Sequence, residues 1–139
     1  MTSRGELERE TWDALRELVL DRYGRRREVA EALGMSFSKV KALRRLLAGP
    51  LSMRELSAKL TTDPPYLTLL LDDLEARGLV LREPHPQDRR AKMVSLTAAG
   101  RAEAKRAQRI LDEPPEGLRR LDEADLADLH RVVSLLNRD

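Results

Sequence analysis

The sequence predicts a mainly α-helical chain carrying a small two- to three-stranded antiparallel wing, and three observations predict it. Leucine, valine and alanine recur at helical spacing through most of the 139 residues. Helix-start residues stand at Ser36, Ser52, Asp63, Thr97 and Asp122, each ahead of such a run. Only after Gly78 does the pattern change to short strand-like runs.

The elements follow in order. Over residues 6–33, Leu7, Leu15, Leu18, Val19, Val29 and Leu33 predict one long helix, bent at Gly24. Gly34 suits the position just past a helix end, and Ser36 caps a second helix reaching about Ala48, with Met35 packing on Val40. Gly49 and Pro50 stop it. Ser52 and Glu55 then form an S-x-x-E capping box, and Leu51 with Leu56 a hydrophobic staple, so a helix starts there and ends near Leu60. Only Thr61, Thr62 and Asp63 separate it from another helix, which Asp63 caps and Pro64 opens, since a proline at the first helical position forfeits no amide bond. Two helices joined by so short a turn read as a helix-turn-helix.

The second of these helices reaches Arg77, with Leu67, Leu70, Leu71 and Leu74 facing inward. Residues 79–83 and 92–96 are the strand-like runs, and the polar loop between them, residues 84–91, is too long for a tight hairpin and too polar to bury. It projects as a wing. Thr97 caps a basic helix that Pro114 and Pro115 break. The last helix, starting at Asp122, presents Leu126, Leu129, Val132, Val133 and Leu136, a stripe expected to pack on the first helix and on a second copy of the chain.

Composition bounds the chemistry. Hydrophobic residues are 41% and aromatic ones 3%, so aliphatic helix packing must build the core. The absence of cysteine excludes disulfides, thiolate metal sites and a cysteine redox switch. The polar N-terminus and the lack of a roughly 20-residue apolar run predict no signal peptide, no membrane helix and no membrane partner, hence a soluble cytoplasmic protein. His85 and His130 lack a third ligand at metal-like spacing, and Asp72, Asp73 and Glu75 diverge around a helix. No phosphate-binding glycine loop or nucleophile motif is present, so the expectation is no enzyme, no metal and no cofactor.

The net charge of +2 says little, but the cations are grouped: Arg25 to Arg27, then Lys39, Lys41, Arg44 and Arg45, then Arg89, Arg90 and Lys92. DNA recognition needs a helix in the major groove and separate groups that hold phosphates and register. Pro65, Tyr66, Thr68 and Leu69, outward near the start of the second helix of the pair, suit base edges and thymine methyl groups. Arg89 and Arg90 at the wing tip suit a narrow minor groove, with Asp88 pairing a nearby arginine to hold the loop.

The ordered set Leu74-Glu75-Ala76-Arg77-Gly78-Leu79-Val80, Asp88-Arg89-Arg90 and Leu96-Thr97-Ala98-Ala99-Gly100-Arg101 resembles the MarR family of regulators. The resemblance implies a single winged helix-turn-helix domain over 1–139, with residues 1–48 and 113–139 as dimerisation helices, 49–97 as the DNA-binding lobe and 98–112 as the connecting helix. It implies a sequence-specific regulator, a ligand-responsive repressor, that binds a near-palindromic double-stranded DNA site as a homodimer and releases it when a small aromatic or phenolic effector binds. It further implies DNA contacts at Ser52, Arg54, Pro65, Tyr66, Thr68, Leu69, Arg89 and Arg90, and dimer contacts at Leu126, Leu129, Val133 and Leu136. Trp12, Tyr23 and Phe37 are the bulky aromatics near the implied effector pocket. One departure stands out, because the family often has a basic residue where this chain has Asp73. Asp72 and Asp73 together are expected to repel phosphate. They leave open a second reading, a winged module for interaction or ligand binding with weak or non-specific DNA binding.

Overall fold

Helix α1, Arg4–Arg16, starts where Ser3 and Glu6 cap each other, the Ser3 hydroxyl accepting from the Glu6 amide and the Glu6 carboxylate from the Ser3 amide. The computed structural model describes residues 1–138. After α1 the chain loosens into a π-helical stretch, Glu17–Arg22, and breaks at Tyr23 and Gly24 before α2, Arg25–Leu33. Where periodicity predicts one bent helix, the chain makes two. Gly24 is extended (φ −64°, ψ 116°), and a Cβ there would stand 2.6 Å from the Leu20 carbonyl oxygen, so the corner closes only on glycine.

Helix α3, Phe37–Arg45, continues as a single 3-10 turn, Leu46–Ala48, before a two-residue strand β1, Leu51–Ser52. Helix α4 is Met53–Leu60 and α5 is Pro64–Ala76, joined by the three-residue turn the sequence predicts. Strands β2, Val80–Pro84, and β3, Lys92–Leu96, form the hairpin. The sheet order is β1-β3-β2, all antiparallel, with Leu51 and Arg82 flanking Val94 from either side. The third strand thus precedes the helix pair and ties its first helix to the wing.

The core lies among α2 to α5, the sheet and the helix that follows it, where Leu43, Leu56, Leu71, Leu74, Val80, Val94, Ala104 and Ala107 are fully buried. Each buried leucine contributes about 1.5–3 kcal/mol relative to exposure. Among the described residues no polar or charged residue is buried in that core, so its stability is almost wholly apolar. Helix α6, Ala98–Asp112, can reach the lobe closely because of Gly100: a Cβ there would stand 1.8 Å from the Leu79 carbonyl oxygen. Thr97 fixes this contact, its hydroxyl donating to the Gly78 carbonyl at 2.6 Å and accepting from the Gly100 amide at 3.0 Å.

Beyond Pro114 and Pro115 the chain makes one further helical turn, α7, Glu116–Arg119, then α8, Glu123–Leu136, capped by Asp122. Arg25 donates to the Glu113 carbonyl at 3.0 Å, pinning the proline break to the start of α2. The expectation that the last helix packs on the first is not met within one chain. Helix α8 buries none of its residues and makes no extensive contact with α1 or α2. Among the described residues no other element covers that apolar stripe.

Candidate nucleic-acid interface

The helix pair is set by local chemistry. Thr61 takes a left-handed conformation (φ 51°), reversing the chain, and Ser57 Oγ donates to the Thr62 carbonyl to close the turn. Asp63 then accepts from the Tyr66 amide at 2.8 Å, so α5 begins with its amides directed past Pro64 and Pro65. On its inner side Leu67, Leu70, Leu71 and Leu74 are 0–4% exposed. On its outer side Pro65, Tyr66, Thr68 and Leu69 all lie open, Tyr66 at 48% and Leu69 at 69%. Tyr66 is therefore no core aromatic. The Thr68 hydroxyl donates to the Pro64 carbonyl at 3.0 Å and keeps its lone pairs for an incoming donor.

Ser52 caps α4, its hydroxyl accepting from the Glu55 amide at 3.0 Å while its own proton stays free to donate. Arg54 is exposed in the first turn of the helix. A groove runs from this point to the wing, lined by Ser52, Arg54, Glu55, His85, Asp88, Arg90 and Lys92 among others. The structure therefore gathers Ser52, Arg54 and Arg90 round one groove and sets the exposed end of α5 on the same lobe, while Arg89 projects nearby. Arg54, Arg89, Arg90 and Lys92 enter none of the ion pairs among the described residues. Round the groove Arg54, Arg90 and Lys92 outnumber the carboxylates of Glu55 and Asp88, and a net positive charge attracts a polyanion.

The wing is held through its backbone. Asp88 accepts from the Arg90 amide at 3.0 Å, and its carbonyl accepts from the Ala91 amide at 3.1 Å. The expected Asp88–arginine ion pair is absent among the described residues, so both wing guanidinium groups stay available. His85 Nδ1 accepts from the Gln87 amide at 3.1 Å, a hydrogen bond that gives the histidine a structural use. Among the described residues no three His, Asp or Glu side chains are placed to hold a metal ion.

The two aspartates do not face DNA as free charges. Asp72 pairs with Arg82 on β2 at 2.7 Å, and Arg82 also holds Glu75. Asp73 accepts from Lys39 on α3 at 2.9 Å and from Arg77 at 2.8 Å. The hydrogen bond from Lys39 lowers the Asp73 pKa below the ordinary aspartate value of 3.8, against a smaller opposing effect of partial burial. Sequence order alone could not reveal partners 34 and 10 positions away.

Lys92 and Lys41 were not singled out by the sequence. Lys92 lines the wing groove, and Lys41 shares a shallow pocket with Thr62 and Tyr66. Their signal was present in the cationic clusters but not separable there. The structure separates three of the four cations in the Lys39 to Arg45 cluster: Lys39 goes to Asp73, Lys41 to the Tyr66 pocket and Arg44 to Gln108 at 2.9 Å.

A helix pair with an exposed second helix, flanked by a cationic two-stranded loop, defines a winged helix-turn-helix DNA-binding regulator. The MarR family model matches residues 38–92. The chain is 33% identical over 112 residues to the HTH-type transcriptional regulator YcgE of Bacillus subtilis, covering 80% of this chain and 73% of the relative. The chain belongs to the MarR family. Among solved structures it resembles a MarR mutant from E. coli complexed with operator DNA, at TM-score 0.62 and 25% identity over 88% of this chain and 97% of that one. It also resembles NadR in complex with 4-hydroxyphenylacetate, at TM-score 0.65 and 23% identity over 91% and 89%.

Proposed function

We propose that two copies of the chain bind a near-palindromic duplex site, each placing the first half of α5 in a major groove and its wing in the adjacent minor groove. The observation that carries this reading is the common exposure of Pro65, Tyr66, Thr68 and Leu69 beside a wing whose Arg89 and Arg90 are unpaired among the described residues. On it, Ser52 and Arg54 hold phosphates, the outer face of α5 meets base edges and methyl groups, and Arg89 and Arg90 enter the minor groove. Leu126, Leu129, Val133 and Leu136 of α8 join the two copies, so the symmetry of the protein sets the symmetry of its site.

The protein acts in the cytoplasm by binding and release, with no catalytic step. The bound 4-hydroxyphenylacetate of NadR supports a small aromatic or phenolic molecule as the effector of a ligand-responsive repressor. The test is selection of bound duplexes from a random pool at two salt concentrations, since non-specific binding is the more purely electrostatic. A two-fold motif with half-sites about one helical turn apart is expected. On that motif Arg90→Ala loses about tenfold or more in affinity and keeps its assembly state. Unchanged affinity would remove the wing from the interface.

A further inference from the structure

Asp73 stands seven residues after Tyr66 and four after Leu69, on the same side of α5 as both. Its carboxylate accepts from Lys39 of α3 at 2.9 Å and from Arg77 at 2.8 Å, and Arg77 also donates to the Gly34 carbonyl at 3.0 Å, in the corner between α2 and α3. The close-packed leucines on the other side of α5 seat the helix in the lobe. The ion pair, anchored on two neighbouring segments, adds a directional tie on the outer side, where the core makes no contact. Side-chain tips lie about 5–6 Å from a helix axis, so a turn of about 10° moves them by about 1 Å, enough to spoil hydrogen bonds to base edges.

We infer that Asp73 is a positioning residue for sequence readout: with Lys39 and Arg77 it fixes the rotation of α5 against the α2–α3 corner and so aims Tyr66 and Leu69. The inference rests on the proposed reading of α5 as the sequence-reading helix. It also reverses the expected sign of the residue's effect. A bare carboxylate at a DNA-facing surface weakens binding to every duplex alike, whereas a positioning carboxylate strengthens binding to the correct one alone.

The experiment compares the parent, Asp73→Asn, Lys39→Met and the double variant on the duplex selected from the random pool and on its scrambled counterpart, with circular dichroism and assembly state recorded for each. Asp73→Asn is expected to lower the ratio of selected to scrambled affinity by roughly tenfold while binding to the scrambled duplex holds or rises, and the double variant to lose no more than Asp73→Asn. Lys39→Met, on a different helix, carries the test if Asp73→Asn fails to fold. An unchanged ratio, an equal rise on both duplexes, or independent multiplication of the two single effects overturns the inference. A parent that does not discriminate between the duplexes overturns the sequence-reading proposal itself and this inference with it. A discriminating parent with an equally discriminating Asp73→Asn overturns this inference alone.

Discussion

The lobe around α3 to α6 and the helices at the two chain ends use similar aliphatic residues to opposite effect. In the lobe Leu43, Leu56, Leu71 and Leu74 are sealed from solvent, whereas Leu7, Trp12, Val19, Leu20 and Leu136 at the ends are each more than half exposed. The lobe satisfies its apolar surface within one chain. The ends do not, and on the homodimer reading their stability depends on protein concentration while that of the lobe does not. On that reading, readout and assembly are separable by mutation.

The sharpest probe of the lobe is Gly100→Ala. With a Cβ only 1.8 Å from the Leu79 carbonyl oxygen, α6 must back away from the strand start, and a loss of at least about 3 kcal/mol is expected in chemical denaturation. Parent-like stability would mean that the lobe is loosely packed there. At the chain ends, Val133→Asp is expected to raise the dimer dissociation constant by about 100-fold or more, because it sets an unpaired carboxylate in the contact, while the helical content of the lobe persists. Light scattering alongside circular dichroism separates the two effects, and an intact dimer would move the contact away from α8.

Smaller effects refine the contrast. Ser52→Ala removes the cap of α4 and is expected to cost about 1 kcal/mol in the lobe without changing assembly, read by thermal melting and light scattering. The smallest concerns acid. Asp73 has a lowered folded pKa, so its contribution is complete above the ordinary value of 3.8 and fades as pH falls through the folded value. Melting temperatures of the parent are expected to fall more steeply in that range than those of Asp73→Asn, and parallel curves would show that the Lys39 pair contributes nothing to stability.

The lobe was also the more legible region. Ser52 with Glu55, Asp63 ahead of two prolines and Thr97 announce their helices because a cap is a local bond between residues three apart. The inward leucines of α5 and the two hairpin strands followed from periodicity. The expected wing allowed a third strand, but β1 could not be placed because two residues show no alternation, and α7 could not because a single turn has no period. Gly24 was legible as a bend but not as a full break, since the decisive contact there is with the Leu20 carbonyl. At the candidate interface, the exposed side of α5 and the wing arginines were legible from position alone. The pairs of Asp72 with Arg82 and of Asp73 with Lys39 were not, because the distant partner of a charge is decided by folding.

The wing bears one more consequence. Strand β3 lies between β1 and β2, so it is bonded on both edges whether or not the tip that leads into it is continuous. On the proposed reading the tip therefore contributes binding groups without closing the sheet, and doubling its length costs only about 0.6 kcal/mol of closure entropy. Such a loop is a replaceable part: its sequence can be exchanged, extended or nicked by trypsin at Arg89 or Arg90 with the two halves of the lobe still clasped. Protection of that cleavage site by bound duplex would serve as a label-free footprint of the wing.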